Sequence, residues 1–597
     1  MPSYSAPVRD MQFVLHEVVN LEAHNNLPGF EEVSRDLVDA ILEEGAKLNQ
    51  EVLQPLNQSG DKQGCKLENG VVTTPDGFKE AYKTYVEGGW NGLIADPAYG
   101  GQGLPYALQL AMSEMMCSSN MSFTMYPGLT HGAIEALTKH ANDKLKAIYL
   151  EKLVSGVWTG TMNLTESHAG TDLGMMRTKA EPQDDGTYKI SGTKIFISAG
   201  EHDLSENIIH LVLAKIPGGP EGTRGISLFV VPKFLVNPDG SLGERNSLSC
   251  GALEEKMGIH GNATCVMNYD GATGYLVGEE HKGMRAMFTM MNAARLGVGI
   301  QGLGLSEVAY QNAVTYAKER LQGRSLKGPQ SPDKPADPII VHPDVRRMLM
   351  DIKAFNEGAR ALACWTGLRI DIAHKGADEK AREEADDLVG LLTPVIKAFF
   401  TDIGFMNTVW AQQCYGGHGF IREWGMEQFV RDARISQLYE GANGVQAMDL
   451  VGRKLALNGG RAIRAYFAYV DGMMKEASAA DASLADFVKP LGESLLHLQE
   501  ATMWLAENGM ADPENAGAAA TDYLYILGHV AMGTIWTEMA RVASRALANG
   551  QADDPFYKNK LATGRYYMKR MMPDTASHLA KLKSGAEPVM ALDADAF

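Results

Sequence analysis

Residues 437–444 read Gln-Leu-Tyr-Glu-Gly-Ala-Asn-Gly. Glu440 is a carboxylate that follows an apolar–aromatic pair and precedes glycine, whose backbone freedom lets a ligand come close. A glutamate sealed by a ligand in apolar surroundings gains proton affinity and can remove a weakly acidic C–H proton. A glycine cluster, Gln413-Cys414-Tyr415-Gly416-Gly417-His418-Gly419-Phe420, ends 17 residues before this run. A turn of that kind lets backbone approach a large anionic cofactor. Together the two runs read as proton abstraction beside a bound nucleotide. The plainer alternative for Glu440 is a surface carboxylate that favours the start of a helix dipole.

Three further constellations carry chemistry. Met162-Asn-Leu-Thr-Glu-Ser-His-Ala-Gly-Thr-Asp172 combines hydroxyls with a small-residue turn. Exposed backbone amides there can cradle a pyrophosphate, although a polar strand-to-loop transition explains the run equally well. Phe196-Ile197-Ser198 closes a strand pattern, where an aromatic and a small hydroxyl could cover a flat heterocycle. Arg295 and Arg320 could bind phosphate through charge-assisted hydrogen bonds. Taken alone, each reads better as a solvated arginine.

These residues need elements to hold them. The chain has 597 residues, 45% hydrophobic and 21% charged, which suits several globular domains. The net charge of −18 disfavours nucleic acid or an anionic membrane as a general partner. Six cysteines without a CxxC pair point away from a disulfide framework or a metal site, and towards a reducing compartment. The N-terminal residues lack a basic, then apolar, leader, and no run of about 18 apolar residues suggests a membrane span. A cytoplasmic protein is expected.

Helical spacing dominates residues 1–156, with Phe30–Glu44 as one helix and turns at Ser59–Lys62 and Thr74–Gly77. Short β-branched runs over 157–282 predict a small β domain. Helical periodicity returns over 283–460, interrupted by a proline-rich loop. Residues 461–597 form a further helical block with Ala/Gly-rich breaks near 509–520. The expected class is α+β, in the order helical, β, helical bundle, extra helical domain.

In this order and spacing the chain resembles the acyl-CoA dehydrogenase family over about residues 30–455. Leu164–Asp172 is similar to the first family signature, with Ser167 where Pro is usual and Thr171 where Ser is usual. Gln413–Phe420, Arg431–Ile435 and Tyr439–Gly441 are similar to the second. The opening near Tyr4–Val14 and the long tail are most similar to the 3-methylmercaptopropionyl-CoA dehydrogenase sub-family.

The resemblance implies non-covalent FAD. Met162, Leu164 and Thr165 would meet the isoalloxazine, Thr171 the pyrophosphate, and Phe196 and Ser198 would flank the flavin. Arg320, Gln413, Gly416 and Gly417 would reach the FAD of a neighbouring subunit, so a homo-oligomer, with the tail favouring a dimer, is implied. Asn292, Arg295, Tyr439 and Gly441 would bind the acyl-CoA. Glu440 would be the base. The alternative base position in the family falls on Ala294, which cannot take a proton. The implied reaction is α,β-dehydrogenation of a thioester, with flavin N5 as hydride acceptor and the Glu440 backbone N–H and a ribityl hydroxyl at the thioester oxygen. Electrons would pass to an electron-transferring flavoprotein. The substrate would be 3-methylmercaptopropionyl-CoA or another short or medium acyl-CoA.

Ala442 and Gly444 stand where the family often has Thr and Gln. An acyl-CoA oxidase shares this fold and extra domain. A DNA-associated relative would need a basic tail, whereas 461–597 carries 13 Lys/Arg and 17 Asp/Glu.

Overall fold

The computed structural model describes residues 2–551 and 554–597. They fall into two compact units. The first holds Met1–Ala46, Pro105–Ser118 and Val298–Phe597, and the second Lys47–Leu104 and Ser119–Gly297.

In chain order the helices are α1 (Val8–Gln12), α2 (Arg35–Lys47), α3 (Pro55–Gln63), α4 (Phe78–Glu87), α5 (Tyr106–His140) and α6 (Asp143–Val154). After the strands come α7 (Gly283–Glu319), α8 (Pro343–Lys375), α9 (Glu379–Cys414), α10 (Met426–Arg434) and α11 (Asn443–Asp449). The tail supplies α12 (Arg461–Ala480), α13 (Ala485–Trp504), α14 (Pro513–Ala548), α15 (Pro555–Arg570) and α16 (Asp574–Lys583). Some sequence expectations shift. Ser59–Lys62 lies inside α3, because Pro55 at its first turn pre-sets helical φ and the run has a helical face, with Gly60 buried and Ser59 and Lys62 in solvent. Phe30–Ser34 precedes α2 rather than opening it. Asp512 caps α14 by accepting from the Glu514 N–H at 3.0 Å, so the alanine-rich stretch from 513 is helix, not a break.

Within the second unit, β1 (Lys66–Glu68) and β2 (Val71–Thr73) form a hairpin unseen in the sequence pattern. The main sheet contains β3 (Trp158–Asn163), β4 (Lys179–Pro182), β5 (Tyr188–Ser198), β6 (Asn207–Lys215), β7 (Ile226–Pro232), β10 (Leu248–Leu253) and β11 (Thr264–Val277). The short pair β8 (Phe234–Val236) and β9 (Leu242–Arg245) stands apart. The sheet order is β10-β11-β5-β4-β6-β3, and β7 bridges β11 and β6. Strands β3 and β6 run parallel. Side chains alternate faces along a strand. On β6, Ile209, Leu211 and Leu213 enter the core shared with helices α5 and α6, while Val212 and Ala214 enter the core inside the sheet. Strand β7 divides its residues likewise, Leu228 and Val230 against Phe229 and Val231. Burial on both faces explains why these strands read as unbroken apolar runs.

Within the first unit, α9 includes a stretch long and apolar enough to cross a bilayer, but 67% of that stretch is buried in the protein. It is a core helix. The tail is continuous with this core. The Trp536 indole N–H donates to Ala354 O at 3.1 Å, and Gly358 makes room, since a Cβ there would lie 2.6 Å from the indole nitrogen. A buried ion network joins five segments. The Arg360 side chain, 2% exposed, donates to Glu114 at 2.5 and 3.0 Å, to Glu307 at 3.1 Å, and to Asp10. Lys560 of α15 pairs with Asp10 and with Glu357 at 2.6 Å. Burial pushes the Glu114 carboxyl up to about 7 against the pull of Arg360. A network this dry tolerates no missing member, because each remaining charge stays buried. Arg360→Leu is therefore expected to lower stability by about 3–5 kcal/mol, read as a fall in the thermal unfolding midpoint; a midpoint equal to wild type would contradict this.

Candidate active site

In the first unit, the chain leaves α10, makes one tight turn over Ile435–Gln437, and reaches Glu440 before α11 begins at Asn443. Glu440 has φ +58° and Gly441 φ +81°. For a glutamate the left-handed region costs about 1–2 kcal/mol. It persists only where surrounding contacts fix it. The Gln446 side chain, fully buried, donates to Glu440 O at 2.9 Å. The Lys397 ammonium, also fully buried, donates to Gly441 O at 2.8 Å and to Asn443 Oδ1 at 2.7 Å. A Cβ on residue 441 would lie 2.5 Å from Gln446 Nε2, so glycine is required by space as well as by angle. The Tyr439 hydroxyl donates to Gln301 Oε1 at 2.5 Å, and burial raises its pKa well above the usual phenol value, keeping it a donor. Glu440 itself is half-buried, next to half-exposed Leu438. It is a turn residue ahead of a helix, not a carboxylate placed at the helix start.

The glycine cluster follows α9 in the same unit. Tyr415 stacks on Tyr316 at 4.1 Å, and His418 stacks on Trp424 at 4.4 Å. The Tyr316 hydroxyl and His418 Nδ1 share a hydrogen bond of 2.8 Å. This aromatic anchor leaves Gln413, Gly416 and Gly417 exposed, with Gly416 at φ +55°. Arg320, exposed as expected, lies just past the end of α7, the helix that carries Tyr316.

In the second unit, the loop after β3 is tied to β5. Ile195 N–H donates to Thr165 O at 2.9 Å, and Thr161 Oγ1 donates to Ser198 O at 2.7 Å. The pairing of β5 with β11 slips between Cys265 and Met267, so residues 195 and 196 form a bulge. Bulges re-aim side chains. Here Phe196 takes φ +60° and the residue is 60% exposed. Leu164 is buried, Met162, Thr165 and Ser198 are half-buried, and Thr171 is exposed. On α7, Arg295 Nη1 donates to exposed Asn292 at 3.4 Å. Arg295 is buried, with its guanidinium 5.8 Å from the Phe288 ring centre, so the solvated-arginine reading of this residue fails.

Several residues escaped the sequence reading. Glu166, buried, accepts from Arg177 N–H at 2.7 Å, Thr178 N–H at 3.0 Å, Thr178 Oγ1 at 2.5 Å and Lys194 Nζ at 3.0 Å. Lys194 also donates to Leu164 O at 2.8 Å. Burial raises the Glu166 pKa, but Lys194, Thr178 and the Arg177 amide outweigh it and hold the carboxyl at about 2. Burial pushes the Lys194 ammonium down to about 8, which leaves it a cation at neutral pH. A lysine in a strand and a glutamate inside a polar loop gave no signal of this partnership. Lys397 did give one, as a lone cation within Thr393-Pro-Val-Ile-Lys-Ala-Phe-Phe400.

Four family models cover the chain in order. They describe an acyl-CoA dehydrogenase N-terminal domain (41–157), a middle domain (161–272), a C-terminal domain (281–455) and an acetyl-CoA dehydrogenase C-terminal-like domain (466–593). The chain is 43% identical to a 3-methylmercaptopropionyl-CoA dehydrogenase of Ruegeria pomeroyi, over 98% of this chain and 99% of that one. It is 33% identical to a broad-specificity linear acyl-CoA dehydrogenase, FadE5, of Mycobacterium tuberculosis, over the full length of both. The fold superposes on Caenorhabditis elegans ACDH-11, solved with C11-CoA, with a TM-score of 0.80 at 18% identity, covering 99% and 95% of the two chains. The chain belongs to the acyl-CoA dehydrogenase family and is an oxidoreductase of that class.

Because the Glu166 pKa is depressed in the folded state, its contribution is complete above about pH 4.5 and is lost as pH falls from there through about 2. Glu166→Gln should destabilise the 164–178 loop by about 3–5 kcal/mol, since it leaves Lys194 buried without its carboxylate. Hydrogen exchange over 164–178 should then be fast at neutral pH in the variant. In the wild type the protection factors there, taken relative to the intrinsic rate at each pH, should fall only in acid.

Proposed function

We propose that the chain is an FAD-dependent dehydrogenase that introduces the α,β double bond of a short acyl-CoA, 3-methylmercaptopropionyl-CoA first among them, with Glu440 as the base. The observation that carries this reading is the left-handed Glu440–Gly441 turn, fixed by Lys397 and Gln446. The 43% identity to an enzyme of that name over nearly the whole chain supports the substrate.

The residues of the second unit fit a flavin. An aromatic ring presented to the surface by a bulge at Phe196, the thioether of Met162 and the hydroxyls of Thr165, Ser198 and Thr171 supply an apolar face with polar edges. A Bacillus anthracis acyl-CoA dehydrogenase of the same fold was solved with FAD (TM-score 0.74, 19% identity, 96% and 91% of the chains). When bound, FAD supplies the acceptor for the electron pair that leaves the β-carbon.

The protein does the rest. Glu440 takes the α-proton. Its backbone N–H is the donor assigned to the thioester oxygen, where charge gathers as the proton leaves. The fixed turn aims carboxylate and amide together, so neither has to reorganise during the reaction. Asn292, Arg295, Tyr439 and Gly441 are assigned to the acyl-CoA. Arg320, Gln413, Gly416 and Gly417 are assigned to a neighbouring subunit's FAD, which makes the working form a homo-oligomer, with the tail favouring a dimer. An electron-transferring flavoprotein reoxidises the enzyme. The four-part division at 156, 282 and 460 belongs to the same reading.

Anaerobic titration of the yellow holoenzyme with a panel of acyl-CoA thioesters should bleach the flavin, fastest with 3-methylmercaptopropionyl-CoA. Glu440→Gln should keep FAD and bind acyl-CoA, yet slow bleaching by about 10²–10⁴-fold. Bleaching of that variant at the wild-type rate would sink the base assignment.

A further inference from the structure

The turn that carries Glu440 is held from a third direction. Three residues before the base, Gln437 Nε2 donates to Asp402 Oδ1 at 2.7 Å. Three residues after it, Asn443 Nδ2 donates to the same oxygen at 2.6 Å and to Thr401 Oγ1 at 2.9 Å. Asp402 therefore closes both ends of the segment 437–443 with one carboxylate oxygen. Its other oxygen, Oδ2, accepts from the Tyr525 hydroxyl at 2.8 Å. Tyr525 belongs to α14, in the C-terminal extension.

The seat of Tyr525 is well defined. Phe399 of α9 meets the Tyr525 ring edge-on at 5.5 Å and the His529 ring at 5.0 Å. Gly528 lets the two helices come close, because a Cβ there would lie 2.6 Å from Phe399 Cδ2. Burial and the adjacent Asp402 carboxylate push the Tyr525 hydroxyl upward, so it remains a donor at any pH where the enzyme is folded. Lys397, on the same helix as Phe399 and Asp402, holds Gly441 O and Asn443 Oδ1. A single helix, α9, thus receives the extension on Phe399 and Asp402 and passes the constraint to the base turn through Asp402 and Lys397.

We infer that Tyr525 and Asp402 are positioning residues for the reaction, and that the C-terminal extension serves to set the geometry of the Glu440 turn as well as to cover the catalytic helices. The inference rests on Glu440 being the base. It does not require the extension to touch substrate or flavin.

The plainer account is that the Tyr525–Asp402 hydrogen bond only glues α14 to α9. A nearby tyrosine separates the two. Tyr523, two residues earlier and fully buried, shares a hydrogen bond of 2.8 Å with Thr502, inside the extension. Tyr523→Phe removes a comparable bond with no route to the turn.

The test is stopped-flow reduction of the flavin in the full-length holoenzyme, with butyryl-CoA and 3-methylmercaptopropionyl-CoA as probes, in wild type, Tyr525→Phe, Asp402→Asn, Tyr523→Phe and Glu440→Gln. The limiting reduction rate of Tyr525→Phe should fall about tenfold, with the acyl-CoA dissociation constant within about twofold and FAD retained. Asp402→Asn, which loosens both ends of the turn, should fall by about 10²-fold. Tyr523→Phe should reduce at the wild-type rate. A Tyr525→Phe rate equal to that of Tyr523→Phe overturns the inference, and so does a loss confined to acyl-CoA affinity. If Asp402→Asn fails to hold FAD, the comparison of the two tyrosine variants still decides. A dead Glu440→Gln beside a full-speed Tyr525→Phe removes the positioning role alone. A fully active Glu440→Gln removes the base assignment, and the positioning role with it.

Discussion

A carboxylate can take a proton from carbon only if its approach is fixed, because the acid is weak and the reacting geometry narrow. At Glu440, the base we propose, the backbone is held in a conformation that glutamate disfavours. Glu440 and Gly441 both lie at positive φ. The conformation survives because buried donors hold two successive carbonyls, Gln446 at Glu440 O in the Glu440–Gly441 peptide and Lys397 at Gly441 O in the next. A fully buried ammonium is costly unless its hydrogen bonds are made. Lys397 makes two of them to the turn itself, so burial of this lysine in the core helix and the shape of the Glu440 turn are linked.

The second unit solves a parallel problem in a different way. Strands β6 and β7 bury both faces. The register of the sheet slips at several places, and at one of them, the bulge of β5 opposite Val266, Phe196 turns outward. The loop opposite is stiffened by a buried pair, Glu166 and Lys194, with the carboxylate saturated by four donors. Strain at Phe196 and Glu440 thus sits where the chemistry is assigned, and rigid surroundings sustain it.

The extension is not an appendage of the first unit. The ion network around Arg360 draws on α1, α5, α7 and α8, with Lys560 of the tail joining through Asp10. Gly358 and Gly528 are the two points where the catalytic helices and α14 approach most closely through missing side chains. The tail aromatics accordingly divide. Tyr523, Trp536 and Tyr567 are buried, while half-buried Tyr525 and Tyr566 reach carboxylates on α9 and α8.

The order helical, β, helical, helical was legible from periodicity, and Glu440 drew notice only through its setting, after an apolar–aromatic pair, before glycine and shortly beyond a glycine cluster. The doubly buried strands β6 and β7 announced themselves as apolar runs. The turn expected at Ser59–Lys62 failed because a polar solvent face of a helix and a loop share one composition. Arg295 was misread because arginine is usually exposed, and only packing on α7 shows it buried. What the sequence could not determine is which partners distant residues meet. Tyr523 and Tyr525 are indistinguishable by type and neighbourhood, yet two residues on a helix turn about 200°, so one faces Thr502 inside the extension and the other faces Asp402 beside the base turn. Local composition and spacing decided the elements and singled out Glu440 as the candidate base. Only tertiary packing decided which lysine, aspartate and tyrosine hold that residue in its disfavoured conformation, because hydrogen bonds between residues 35 to 123 positions apart leave no periodic trace in the chain.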